Sequence, residues 1–248
     1  MALPPNFVIN EHTKMADVIH MNYLLLPVIN RFGINLGFGD QSVEQVCSEY
    51  QVNVSFFLDI VNTYNDANYL PEEKMRNYPI QTIVDYLVKT HQFYKEQALP
   101  EIKEKIDRLY ASCNTNCSNL DLIEDFYEKY KEELLIHLKS EEDKFFPYIN
   151  SLSQATDSNL DIEAMRKKFN FSYHQHSEEH ENVKIKLLDL KNILIKYLPA
   201  NYNQYRCNDL LFSLFVFEKD ISDHERLEDV ILLPALEYLE NTFKNKTH

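Results

Sequence analysis

Apolar residues recur along this chain at three- and four-residue spacing, and no stretch shows the strict alternation of a half-buried strand. Residues 13–31 set Met15, Val18, Ile19, Tyr23 and Leu26 at helical spacing, which predicts a first helix. Ser42, with Gln45 three residues on, is a capping box opening a short helix through Val46 and Tyr50. Asn53 can cap a third helix that carries Phe56, Phe57, Ile60 and Val61. Residues 66–79 hold two prolines and little periodicity, so they read as a linker. Beyond them the pattern lengthens into four long helices: 80–111, which Pro100 should kink or interrupt; 119–147; one from about 161 to 198; and 204–243, with Pro234 in its last third. The only three glycines, Gly33, Gly37 and Gly39, fall within seven residues, where the backbone is asked to turn sharply. The expected architecture is all-α: a small helical domain over 1–65, a linker over 66–79 and a four-helix bundle over 80–248.

Composition narrows the function classes. Hydrophobic residues at 44% and charged residues at 26% describe an ordinary globular chain. A formal net charge of −14 argues against nucleic acid, whose phosphates need a basic footprint. No apolar run approaches a membrane span, and Met-Ala-Leu-Pro-Pro-Asn lacks the regions of a signal peptide. Four cysteines are too sparse for a disulfide framework, so a reducing cytoplasm is expected. Cys113 and Cys117 form the only close pair. With no second pair to complete a metal cage, they read as thiols in a polar loop between helices.

The chemistry lies in a frame that occurs twice. His137 to Pro147 reads His-Leu-Lys-Ser-Glu-Glu-Asp-Lys-Phe-Phe-Pro, and His224 to Pro234 reads His-Glu-Arg-Leu-Glu-Asp-Val-Ile-Leu-Leu-Pro. Both have Glu four after His, an acid next, two apolar residues and the same Pro. A four-residue step puts His and Glu on one helix face. His174 and Glu178 repeat that step without the acid or the Pro, as chance allows. The partner helices carry His91 and His180 on their apolar faces, 46 and 44 residues ahead of the frame histidines. His91, His137, Glu141, His180, His224 and Glu228 together fit two metals better than one, with iron and zinc the first candidates for such donors. Buried without metal, such a layer would carry a heavy desolvation penalty. A ferritin-like pattern needs Glu three residues before a ligand His, which no histidine here has.

These residues resemble hemerythrin-like proteins, and more closely the repair-of-iron-centres di-iron proteins. The matching stretches are Lys-Thr-His91 ahead of Glu-Gln-Ala-Leu-Pro100, the His137 frame, Ser-Glu-Glu-His180-Glu and Asp-His224-Glu-Arg-Leu-Glu228 with Leu-Leu-Pro234. The resemblance covers roughly residues 14–241. It implies a non-haem centre of two irons on those six residues, bridged by Glu141 and Glu228. It also implies a role in repairing iron–sulfur clusters under nitrosative or oxidative stress, with a small diatomic ligand (oxygen or nitric oxide) and damaged iron–sulfur proteins as partners, and is compatible with a homodimer. The alternative is a protein that binds or senses oxygen or nitric oxide without turnover. In the family the small N-terminal domain carries Cys-Cys-Gly-Gly after a segment like Arg31-Phe-Gly-Ile-Asn-Leu; here Gly37, Phe38, Gly39 and Asp40 stand instead, and both thiols are missing. His176, four before His180, adds the His-x-x-x-His pair that oxygen-binding hemerythrins use. Those proteins also have Asp five after the last His, where this chain has Asp229 directly after Glu228. Glu133 and Glu179 stand near ligand histidines, as supporting partners or as solvated acids.

Overall fold

The computed structural model describes residues 7–70, 79–112, 118–155, 160–198 and 202–244. Cys113, Cys117 and most of the 66–79 linker lie outside them. Among the described residues the chain is helical without strands, and Lys14 and Ser42 make an isolated bridge. None of these helices is long and apolar enough to cross a membrane. The chain divides into two compact units, residues 1–90 with 222–238, and residues 91–221 with 239–248.

The first unit begins with α1 (Met15–Met21), α2 (Leu25–Arg31), α3 (Val43–Glu49) and α4 (Val54–Asn65). The single helix expected over 13–31 is in fact two. Asn22 leaves helical geometry and its side chain accepts the Leu24 N–H at 3.1 Å. Pro27 has no N–H to continue the ladder, so the helix restarts at Leu25, where Pro27 falls in the first turn. The capping box at Ser42 forms as its spacing predicts, and Asn53 accepts the Phe56 N–H at 2.9 Å. Met15, Val18, Val28, Phe57 and Ile60 are fully buried in this core. Asn62 of α4 acts as a stand-in peptide group for the N-terminal strand of chain: it accepts the Ile9 N–H at 2.8 Å and donates to the Ile9 carbonyl at 2.9 Å. On α5 (Ile80–Phe93), Tyr86 packs against Phe32 and Phe56 with ring centroids 5.0 and 6.2 Å away. The small N-terminal helices therefore rest on the start of the first long helix.

In the second unit α6 (Leu99–Ala111), α7 (Ser118–Ser140), α10 (Tyr173–Tyr197) and α11 (Gln204–Leu227) share one core. Ile102 and Ile106, Tyr130 and Leu134, Val183 and Leu187, Leu214 and Phe217 meet inside it, which makes the four-helix bundle. α8 (Phe146–Ser153), α9 (Ile162–Phe169) and α12 (Leu233–Lys244) complete the helices. The long helix expected from about 161 breaks at Asn170, which adopts the left-handed region at φ 52°, and Ser172 then caps α10 by accepting the Gln175 N–H. Glu240 of α12 binds Arg166 of α9 and accepts the Tyr148 hydroxyl of α8 at 2.5 Å, a buried knot that ties three helices.

Pro147, expected to end its helix, does not. Pro100 and Pro234 do not stop theirs either. Each is preceded by a five-residue π-turn: Tyr94–Ala98, Glu141–Phe145 and Glu228–Leu232. The N–H just before each proline reaches back five residues, to Tyr94, Glu141 and Glu228 respectively. The wider turn makes room for a ring that would strike the carbonyl four residues back in an α-helix. α5 thus continues into α6, α7 into α8, and α11 into α12.

Candidate metal centre

The second unit brings five candidate residues together. α5 supplies His91, α7 supplies His137, the π-turn after α7 opens on Glu141, and α10 supplies His176 and His180 one turn apart. All five are buried. The Nε2 atoms of His137, His176 and His180 lie 3.2, 3.1 and 3.3 Å from Oε1 of Glu141, and that of His91 lies 3.2 Å from Oε2. Four imidazoles thus converge on one carboxylate. Burial alone would raise the Glu141 pKa, and only rings that present a proton or a positive charge at Nε2 would hold the group well below the ordinary carboxylate range.

The far side of two rings is tied outward. His91 Nδ1 lies 2.9 Å from Oε1 of Glu142, which also accepts from Lys95 at 2.8 Å. His137 Nδ1 lies 3.4 Å from Oε2 of Glu179, whose other oxygen takes the Gln175 amide at 2.8 Å. The hydrogen bond from His91 pulls Glu142 down to about 2. An ionised carboxylate only accepts, so each of these rings donates from Nδ1, and a neutral ring then turns its Nε2 lone pair toward Glu141. Lone pair and carboxylate oxygen at 3.2 Å repel unless a cation stands among them. Protonating every ring would bury several positive charges around one acid, at a large desolvation cost. A first-row dication satisfies the same nitrogens and oxygens together, and the donor set fits one.

The second frame also turns inward. His224 Nε2 lies 3.6 Å from Oε1 of Glu228 on the next turn, and both are buried. Asp229 is exposed, so Glu228 is the frame carboxylate that faces in. Within the second unit Glu141, His176 and His180 belong to one His–carboxylate group that could hold a metal ion. His137 touches Glu141 and sets its ring edge-on to His180 at 4.8 Å.

The acids near the histidines sort unevenly. Glu179 supports His137, whereas Glu133 pairs with Lys186 near the surface. Glu142, present in the sequence only as the frame's second acid, is the partner of His91. The His174–Glu178 pair is solvated, with 82% and 65% of its side chains exposed.

A helical bundle with buried His–carboxylate groups defines a metal-binding class of protein. Residues 82–236, more than half of the chain, match the hemerythrin HHE cation-binding domain, and the chain belongs to that family. Comparison with curated proteins finds no match.

Proposed function

We propose that the protein holds a non-haem centre of two irons on His91, His137, Glu141, His180, His224 and Glu228, with the two glutamates bridging, and that it works in iron–sulfur cluster repair under nitrosative or oxidative stress. The convergence of four imidazole Nε2 atoms on Glu141 carries the metal reading. The repair-type reading draws support from the second frame, where the acid four residues after His224 is buried and the acid five after is exposed. It draws further support from the helical N-terminal unit ahead of the bundle.

When bound, such a centre supplies redox electrons and open positions for a small diatomic ligand. The chain's own part is to hold it: Glu142 and Glu179 orient His91 and His137, while the bundle core excludes bulk water from the layer. Because Gly37 and Phe38 occupy the place of the family's two cysteines, any repair proceeds without thiols at that loop.

His176 favours a second reading, reversible oxygen or nitric oxide binding, because its Nε2 sits as close to Glu141 as the other imidazoles do. One preparation tests both. Purified protein should carry stoichiometric iron and restore a nitric-oxide-damaged iron–sulfur enzyme. Iron without restoration, together with a reversible visible oxygen adduct lost in His176→Ala, would decide for the carrier or sensor. Protein from iron-replete cells that carries no iron would sink both.

A further inference from the structure

The bundle surface has a small cleft at the junction of α7, its π-turn and the start of α10. Exposed Asn170, Ser172 and Gln175 lie at its mouth, and buried Glu141 and His176 at its inner end. Its free volume is ≈10 Å3, close to the roughly 10–15 Å3 that one water requires. The apolar wall is Phe145 and Phe171, stacked with centroids 5.0 Å apart, and Phe145 also meets the His176 ring edge-on at 4.8 Å. Lys144 and Glu179 line the polar side, and the Gln175–Glu179 hydrogen bond spans one turn of α10 there.

We infer that this cleft is the entry port through which a small ligand reaches the metal layer, and that it admits species of two or three heavy atoms. The inference rests on the metal reading above, and adds where the ligand passes and what limits its size. Three observations select this cleft. It ends on two of the residues grouped as metal donors, Glu141 and His176. Its free volume is about that of one water, so a slender ligand fits where a substituted ring does not. Its walls are held: the phenyl pair is stacked, and Ser172 caps the helix that carries Gln175 and His176. Lys144 at the polar side gives a passing anion a favourable partner beside the Glu179 carboxylate.

The probe is azide, a slender three-atom anion, added to protein loaded with ferrous iron and oxidised in air. Metal content is counted first, and azide association is then followed by stopped-flow absorbance. Gln175→Trp fills the mouth from an exposed position and should slow association about tenfold or more, within the one to three decades over which association rates vary among variants of one site. Metal content and the final spectrum should not change. Gln175→Ala opens the mouth and should leave the rate equal or faster, so a slow Gln175→Trp cannot be laid to loss of the amide. Lys144→Glu should slow azide but not nitric oxide. Ile136→Trp, on the exposed face of α7, should match the wild type. Equal azide rates in loaded wild type and loaded Gln175→Trp would overturn the port and leave the metal centre standing. Wild type that takes up no iron would overturn the metal reading and the port with it.

Discussion

Glu142 Oε1 stands 2.9 Å from His91 Nδ1, and this contact decides which nitrogen of a buried imidazole looks toward Glu141. Two adjacent acids of one π-turn thus play opposite parts: Glu141 faces the imidazoles' inner nitrogens, and Glu142 holds one ring from behind. Removing such an orienting carboxylate lowers metal affinity about 10- to 100-fold in comparable sites. Glu142→Ala should do the same here, measured by competition against a chelator. Glu133→Ala, which breaks only the pair with Lys186, should leave affinity unchanged.

The second frame offers two neighbouring acids, and only Glu228 is buried. Glu228→Ala should lose stoichiometric metal by elemental analysis, while Asp229→Ala should keep it and unfold at the wild-type temperature. Loss of metal on removing Asp229 alone would show that the acid five residues after His224 does the holding.

The knot at Glu240 is a buried charge bound by Arg166 and Tyr148. Taking away the acid leaves Arg166 without its main counter-charge in a largely buried place. Breaking a buried pair in this way costs about 3–5 kcal/mol. For a chain of this size each kcal/mol moves Tm by roughly 2–4 °C. Glu240→Ala should therefore lower Tm by roughly 6 °C or more in a calorimetric scan of the metal-free protein. A drop of a degree or less would mean that the knot is ornamental.

Tyr127 donates to the Leu99 carbonyl at 2.6 Å, and burial pushes its hydroxyl well above the ordinary tyrosine range; burial and Glu240 do the same for Tyr148. The folded state keeps these protons where the unfolded chain releases them. Their stabilisation is thus whole below the unfolded value near 10 and is lost as pH climbs beyond it. Denaturant midpoints should fall between about pH 10 and 12. Tyr127→Phe should be less stable than wild type at neutral pH and lose less over that interval. A wild-type midpoint that stays flat to pH 12 would contradict this.

Much of the candidate site was legible because two helices repeat one eleven-residue frame and the partner histidines keep almost the same spacing. Helical periodicity then does the rest, since positions four apart share a face whatever surrounds them. What stayed hidden depends on neighbours far away in sequence. Glu133 and Glu179 looked alike beside their histidines, yet Lys186 takes one and His137 the other. Glu142 and Asp229 occupy the same frame position, but one is drawn in by His91 while the other is exposed. The breaks at Asn22 and Asn170 were missed because a polar residue that caps and a polar residue on a solvated face look the same in a periodic run. Pro147 misled most directly: it signalled the end of its helix, and it instead sits just past a wider turn that carries the helix through, as Pro100 and Pro234 do inside theirs.

Those wider turns make the helix a kind of reading frame. A π-turn accommodates one residue more than the α-helix around it, and in α7 that surplus lies between Glu141 and the aromatic run of Phe145, Phe146 and Tyr148. Substitutions leave the phase alone. A one-residue deletion in plain α-helix, at Lys139, would not: it would rotate everything downstream by about 100° and take Glu141 off the face of His137. A deletion at Asp143 would only remove the surplus, closing the turn as plain α-helix with Phe146 and Tyr148 still in phase. The same holds behind Tyr94 and Glu228. In this protein the histidine layer and the segments after each proline are held in phase by counting as well as by contact, and three helices keep that count at the same distance from a proline.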